Sequence, residues 1–80
     1  MEKEIHFMNE KGEWRIQNLE LDELLKMIIE GKVKEIDITS FSPDEVEQIK
    51  KFIKEKNLNF SIEQRSLLEL VKKSFLRIVR

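Results

Sequence analysis

The chain has 80 residues, with 15 Lys and Arg, 16 Asp and Glu, one His and no Cys, for a formal net charge of −1. This length fits a single domain, since domains span about 50–200 residues. The absence of cysteine excludes disulfides, thiolate zinc sites and cysteine nucleophiles. No apolar run approaches the roughly 18–20 residues of a membrane span, and the charged first residues lack the apolar core of a signal peptide, so we expect a cytoplasmic protein.

Two short alternating segments at the start of the chain predict a hairpin. Ile5 and Phe7 alternate with other residues in the first segment, and Trp14 and Ile16 do so in the second. Residues 9–12 are typical of a hairpin loop, because they end in Gly12, which can adopt positive φ. A loop of that length would place Phe7 opposite Trp14, with both rings buried on one sheet face.

A helix and a strand follow. The helical spacing of four apolar residues predicts a first helix over about residues 20–30: Leu21, Leu24, Leu25 and Ile28. Gly31 suits the C-terminal cap of this helix. Alternation over residues 35–39 then predicts a third strand, with Ile36 and Ile38 facing the core.

The clearest local signal is the start of a second helix. Ser42 is the expected N-cap, Pro43 occupies the first helical position, and Glu45 completes a capping box. The apolar stripe of this helix is Val46, Ile49, Phe52 and Ile53. Asn57 suits a left-handed cap at its end, and alternation then predicts a fourth strand with three inward residues, Leu58, Phe60 and Ile62. A last helix is predicted over about residues 65–80.

The element order β-β-α-β-α-β-α predicts an α/β fold, a two-layer sandwich with a four-stranded mixed sheet and helices on one face. This layout resembles that of STAS-type domains, the anti-sigma-factor antagonists of bacteria, and of the N-terminal domain of the bacterial septum-site inhibitor. The resemblance covers about residues 5–75 and concerns element order. STAS antagonists carry a glycine-containing turn with a phosphorylatable serine after the third strand; here the corresponding residues 39–44 contain no glycine.

The outward sheet face is expected to be polar and solvated. Its residues are His6, Met8, Arg15, Gln17, Glu35, Asp37, Thr39, Asn59, Ser61 and Glu63. Sheets that bind single-stranded RNA need aromatic side chains on which bases stack, and this face has none, so RNA recognition on the sheet is not expected. A polar protein contact is the alternative to simple solvation.

Nothing in the sequence indicates an enzyme, a metal site or a cofactor. His6 has no second His or Cys beside it to complete a metal site. Glu35, Asp37 and Glu63 would form an oxygen-ligand cation site if their strands were adjacent, but outward carboxylates are usually just solvated. They also share one exposed environment, which does not separate two pKa values for acid–base catalysis.

Ser42 is the candidate modification site, because the amides of a helix N-terminus tolerate a phosphate. Its role as an N-cap fully explains the residue type, and we prefer that interpretation.

The predicted last helix is the candidate functional element. Its apolar residues span an arc of about 180°, wider than a core stripe needs, and residues 65–80 contain five basic residues and one acidic residue. The simplest interpretation is that this helix completes the core and that its cations complement the helix dipole. The surplus apolar width favours instead a contact surface for a partner or a second copy, formed by Lys72, Lys73, Phe75, Leu76, Arg77, Val79 and Arg80.

We therefore expect a small non-enzymatic protein–protein interaction or regulatory module that acts through this helix, in its simplest form as a homodimer. The expected apolar anchors are Leu76, Phe75 and Val79, and Leu76→Glu is expected to change association and leave the fold intact. The alternative function is nucleic-acid binding by the same basic helix.

Overall fold

The computed structural model of the chain describes residues 1–68 and 71–80, and in this part of the chain it contains one antiparallel sheet and two helices. The strands are β1 (Lys3–Asn9), β2 (Trp14–Leu19), β3 (Val33–Asp37), β4 (Asn59–Leu68) and β5 (Val71–Val79). The helices are α1 (Leu21–Ile29) and α2 (Pro43–Glu55). The strands lie in the order β2-β1-β3-β5-β4.

The predicted four-stranded mixed sheet is wrong, and the STAS-like layout is wrong with it. Each neighbouring pair of strands in the sheet is antiparallel. β2, β3 and β4 do run in one direction, as expected for strands joined through helices. However, β1 lies between β2 and β3, and β5 lies between β3 and β4, so that none of the three pairs with another.

The predicted helix over residues 65–80 is also wrong, because residues 59–68 and 71–79 are two strands of a hairpin. Phe75 and Leu76 are adjacent and both buried, at 8% and 0% exposure. A strand buries adjacent side chains when both of its faces are covered, which removes the alternation that identifies a strand. Of the described apolar side chains of β5, Phe75 is buried on one face and Leu76 and Ile78 are buried on the other. Leu70 lies outside the described residues, as do the side chains of Leu67, Leu68 and Val71.

The first hairpin has a different register from the predicted one. Asn9 N–H donates to the carbonyl of Glu13 at 2.8 Å, so the loop has three residues and ends in Gly12 at φ +79°. Such loops commonly place a glycine in the left-handed region. Met8 therefore lies opposite Trp14. A shift of one residue moves every β2 side chain to the other sheet face, so the predicted Phe7–Trp14 pair does not form.

The core lies between the helices and one face of the sheet. Leu24, Ile28, Ile49 and Ile53 of the two helices belong to the same buried cluster as sheet residues that include Ile5, Phe7, Ile36, Leu76 and Ile78. Phe7 pairs with Ile36 and Ile36 with Leu76, which places these three side chains on the same face. The inward residues predicted for the first and third strands and for the two helical stripes are confirmed, except Phe52, which is partly exposed and lies outside this cluster.

The predicted helix ends are confirmed. Ser42 Oγ accepts from Glu45 N–H at 3.2 Å, and Glu45 Oε1 accepts from Ser42 N–H at 2.9 Å, with Pro43 in the first turn. Gly31 and Asn57 have φ values of +76° and +60°, each two residues after the last residue of its helix. In the described part of the chain, neither helix has the length and apolar character that a membrane crossing requires.

Candidate functional site

The sheet face that points away from the core is the candidate site, and we call it the open face. The strand register assigns to it, among others, His6, Met8, Trp14, Ile16, Glu35, Asp37, Glu63, Arg65, Lys73, Phe75, Arg77 and Val79. The expectation of a polar face without aromatic residues is therefore wrong. The hairpin register adds Trp14, and the strand at residues 71–79 adds Phe75.

Trp14 and Phe75 form an edge-to-face pair on the open face, with ring centroids 5.5 Å apart and an interplanar angle of 66°. β1 and β3 separate the strands that carry them, so the two rings extend toward each other over the middle of the sheet. Phe75 is 8% exposed, whereas Trp14 is 44% and Ile16 63% exposed. The face thus combines a packed ring with an apolar surface that remains accessible next to it.

Arg65 contacts the Phe75 ring and joins a carboxylate network. Its guanidinium carbon lies 4.3 Å from the Phe75 centroid, a cation–π contact. The same group donates to Glu35 at 2.7 Å and to Glu63 at 3.1 Å, and Arg77 lies 3.8 Å from Glu35. The hydrogen bond from Arg65 lowers the pKa of Glu63, and the two carboxylates together raise the pKa of Arg65.

Asp37 has its own set of partners at the end of β3. Burial raises its pKa, but hydrogen bonds from Thr39 and the nearby charge of Lys73 outweigh burial and lower it overall. The Thr39 N–H donates to Asp37 at 3.0 Å, and Lys73 Nζ lies 3.5 Å from the carboxylate. The three carboxylates expected to be solvated are therefore ion-paired. Within the described residues, no group of three or more His, Cys, Asp and Glu side chains is arranged to hold a metal ion.

Two adjoining hollows mark the open face. One, of about 350 Å³, is bounded by the aromatic pair and by His6, Arg15, Ile16, Asp37, Arg65 and Lys73. The other, of about 390 Å³, is lined by Glu4, His6, Asp37, Thr39, Ser40 and Lys73. His6, Asp37 and Lys73 border both hollows, so the two lie side by side. His6 Nε2 lies 2.9 Å from Glu4 Oε1.

The residues predicted to bind a partner from one helix face are divided between the two sides of a strand. Lys73, Phe75, Arg77 and Val79 lie on the open face, and Val79 is 45% exposed. Leu76 is 0% exposed in the core, so it is not the surface anchor that we expected. Lys72 is exposed.

Arg80 makes a hydrogen bond within the fold. It donates to the carbonyl of Ile28 at 2.7 Å, at the C-terminal end of α1. A cation there complements the dipole of a helix, as predicted for the basic residues, although the helix is α1 and not a C-terminal one. Ser42 is exposed and acts as the N-cap described above.

Sequence reasoning missed Trp14, Ile16, Glu35 and Arg65 as members of one site. The signal that would have found the first two is the loop Glu10-Lys11-Gly12, whose glycine suits the last position of a three-residue hairpin loop. Comparison of the chain with protein-family models, curated proteins and solved structures finds no match in any of the three.

Proposed function

We propose that this chain is a non-enzymatic protein-interaction module that binds a protein partner through the open face. The observation that carries the proposal is the exposure of Trp14 and Ile16 beside the buried Phe75, on the face that the helices do not pack against. Tryptophan is among the residues that contribute most to binding energy at protein interfaces, where it is anchored in packed surroundings. The contact of Trp14 with Phe75 holds its ring in place before a partner arrives, which lowers the entropic cost of association.

The charges of the open face favour a protein over a nucleic acid. Arg65 and Lys73, the cations next to the aromatic pair, are already ion-paired with Glu35, Glu63 and Asp37. Proteins that bind single-stranded nucleic acids combine stacking aromatics with cations that remain available for phosphates. The aromatic pair alone supports base stacking, so nucleic-acid binding is the alternative that the experiment must separate.

The test compares two matched variants as baits. Ile16→Glu places a charge on the open face, and Ile29→Glu places the same charge on α1, where Ile29 is 49% exposed. A partner of the open face binds the wild-type chain and Ile29→Glu, and does not bind Ile16→Glu. The retained protein is then purified and titrated against the chain, with the emission of Trp14, the only tryptophan, as the reporter.

The same titration is repeated after nuclease treatment and at high salt. Binding through apolar anchors persists under both conditions, whereas phosphate contacts weaken steeply with salt. Light scattering of the chain alone at several concentrations tests the homodimer: a dimer that Ile16→Glu dissociates identifies a second copy as the partner. Equal capture by all three baits, or binding that nuclease removes, contradicts the proposal.

A further inference from the structure

The free edge of β4 is a second surface, separate from the open face. β4 is an outermost strand of ten residues and pairs with β5 on one side. An outermost strand presents main-chain N–H and C=O groups that another strand can pair with.

The hydrogen bonds of the sheet identify the outward groups. Ile38 N–H donates to the carbonyl of Ser74 at 2.9 Å, so the main chain of Ser74 faces β3. Successive residues of an antiparallel strand face opposite neighbours, so Phe75 faces β4 and its partner Glu63 faces β5. The main-chain groups that face the free edge are therefore those of Phe60, Ile62 and Gln64.

A side-chain contact agrees with this assignment. Phe60 N–H donates to the Oδ1 atom of its neighbour Asn59 at 2.9 Å, as an amide that faces away from β5 would. Ile62 lies two residues further along the edge and is 43% exposed. The edge thus has an apolar side chain next to its outward main-chain groups.

Lysines of α2 surround the start of this edge. Lys54 Nζ lies 5.3 Å from the centroid of the Phe60 ring and donates to Asn59 Oδ1 at 2.9 Å, and Lys50 Nζ lies 6.0 Å from the same centroid. Lys51 and Lys56 are exposed on the same helix end. Residues 50–56 contain four lysines and one glutamate. Lys50 also lies 3.3 Å from Glu47, which is exposed, and Lys54 has no carboxylate partner among the ion pairs of the described residues, so the helix side of the edge is basic.

We infer that the free edge of β4 binds an extended acidic segment of a protein partner as a sixth strand of the sheet. Main-chain pairing with Phe60, Ile62 and Gln64 supplies affinity, as in other cases of strand addition. On the helix side, an acidic residue of the segment lies next to Phe60, near Lys50 and Lys54, and an apolar residue lies next to Ile62. A protein segment fits better than a nucleic acid because a peptide has the alternating N–H and C=O groups that this edge matches. The inference does not depend on the open-face site.

The probe is an eight-residue peptide with blocked termini. Thr alternates with Glu in its first half and with Val in its second half, and the peptide is synthesised in this order and in the reverse order. Added to ¹⁵N-labelled protein, one of the two is expected to shift the amide signals of Ile62 and Gln64. The double variant Lys50→Glu with Lys54→Glu is expected to bind at least about tenfold more weakly. The control variant Lys11→Glu with Lys26→Glu has the same net charge, away from β4, and is expected to retain the wild-type affinity. Circular dichroism establishes that both variants are folded.

A second probe has the same sequence with alternate backbone amides N-methylated, which retains the charge and blocks strand pairing. It is expected to lose binding. The inference is overturned if the methylated peptide binds equally well, if all variants have equal affinity, or if the peptide binds in neither sequence order. It is also overturned if a uridine oligonucleotide shifts the same amides more strongly than the peptide, or if dilution of the chain alone does so, which would identify a second copy at this edge.

Discussion

The burial of Leu76 determines how its substitution affects the protein. Leu76 is fully buried and pairs with Ile36 on one side and Ile62 on the other, in the middle of the face that packs against the helices. Removing a buried leucine side chain costs the transfer free energy of its carbons and leaves a cavity. Its substitution therefore acts on the fold before it acts on any surface.

We predict that Leu76→Ala lowers the free energy of unfolding by about 2–5 kcal/mol, measured by urea denaturation. Leu76→Glu is expected to prevent cooperative folding, because an unpaired carboxylate would be buried there. Val79→Ala is the control on the same strand, since Val79 is 45% exposed and its loss should cost less than about 1 kcal/mol. If Leu76→Glu remains fully folded, the placement of this strand is wrong.

Glu35 is the buried charge of the open face, at 4% exposure beneath Arg65 and Arg77. We predict that Glu35→Ala lowers the free energy of unfolding by about 2–3 kcal/mol, because Arg65 loses its closest acceptor. Glu63→Ala should have a smaller effect, since Glu63 is exposed and salt screens such pairs. Chemical denaturation of the two variants at the same salt concentration tests this order, and a larger effect of Glu63→Ala would contradict it.

At the scale of single elements, the start of α2 is the best-defined feature. Besides the capping box, Lys3 of β1 lies 3.0 Å from Glu45 Oε1 and 4.4 Å from the centroid of Phe41. The cap thus also connects the helix to the sheet. We predict that Ser42→Ala lowers the free energy of unfolding by about 1 kcal/mol, whereas Ser42→Asp, which retains an acceptor, stays close to the wild type in thermal unfolding.

The same cap makes stability depend on pH. The Ser42 amide and the Lys3 ammonium lower the pKa of Glu45 in the folded chain. A carboxyl with a lowered folded pKa contributes stability above its unfolded pKa of about 4.3, and the contribution is lost as pH falls through the lowered value. We predict that Glu45→Gln reduces the loss of stability between about pH 5 and pH 3 in urea titrations, relative to the wild type and to Gln48→Ala on the same helix. An unchanged loss would contradict the role of Glu45.

Residues 65–68 of β4 were wrongly assigned to a last helix, and the face of β2 was predicted wrongly. Both helices, β1, β3, the position of β2 and the first half of β4 were predictable, because each shows one regular period and ends at a cap or turn residue. β5 was not, for two physical reasons. Its buried residues lie on both faces, and the sequence between the last two strands, Glu69-Leu70, contains none of the usual turn residues. The open-face site depends on this strand and on the register of the first hairpin, so it could not be assembled from the sequence alone.

At the scale of the whole molecule, β5 follows the other four strands in the sequence but lies inside the sheet, between β3 and β4. β4 has its sheet partner in β5, and Ile36 of β3 packs beside Leu76. The sheet is therefore complete only when β5 is present. We predict that a chain ending at residue 68 shows no cooperative thermal transition by circular dichroism, whereas removal of Met1 and Glu2, which precede β1, leaves the transition unchanged. A folded 1–68 fragment would contradict this topology.

The hairpin between β1 and β2 has a consequence for how this protein could change over generations. Of the six residues of β2 only Leu19 is buried, so the core is almost indifferent to which way the strand faces. Loss or gain of one codon between Glu10 and Gly12 would exchange the two sides of β2 and move Trp14 and Ile16 off the open face. A single small deletion can thus abolish the apolar surface and its reversal can restore it, which makes the length of this loop a heritable control over whether the open face carries Trp14 and Ile16.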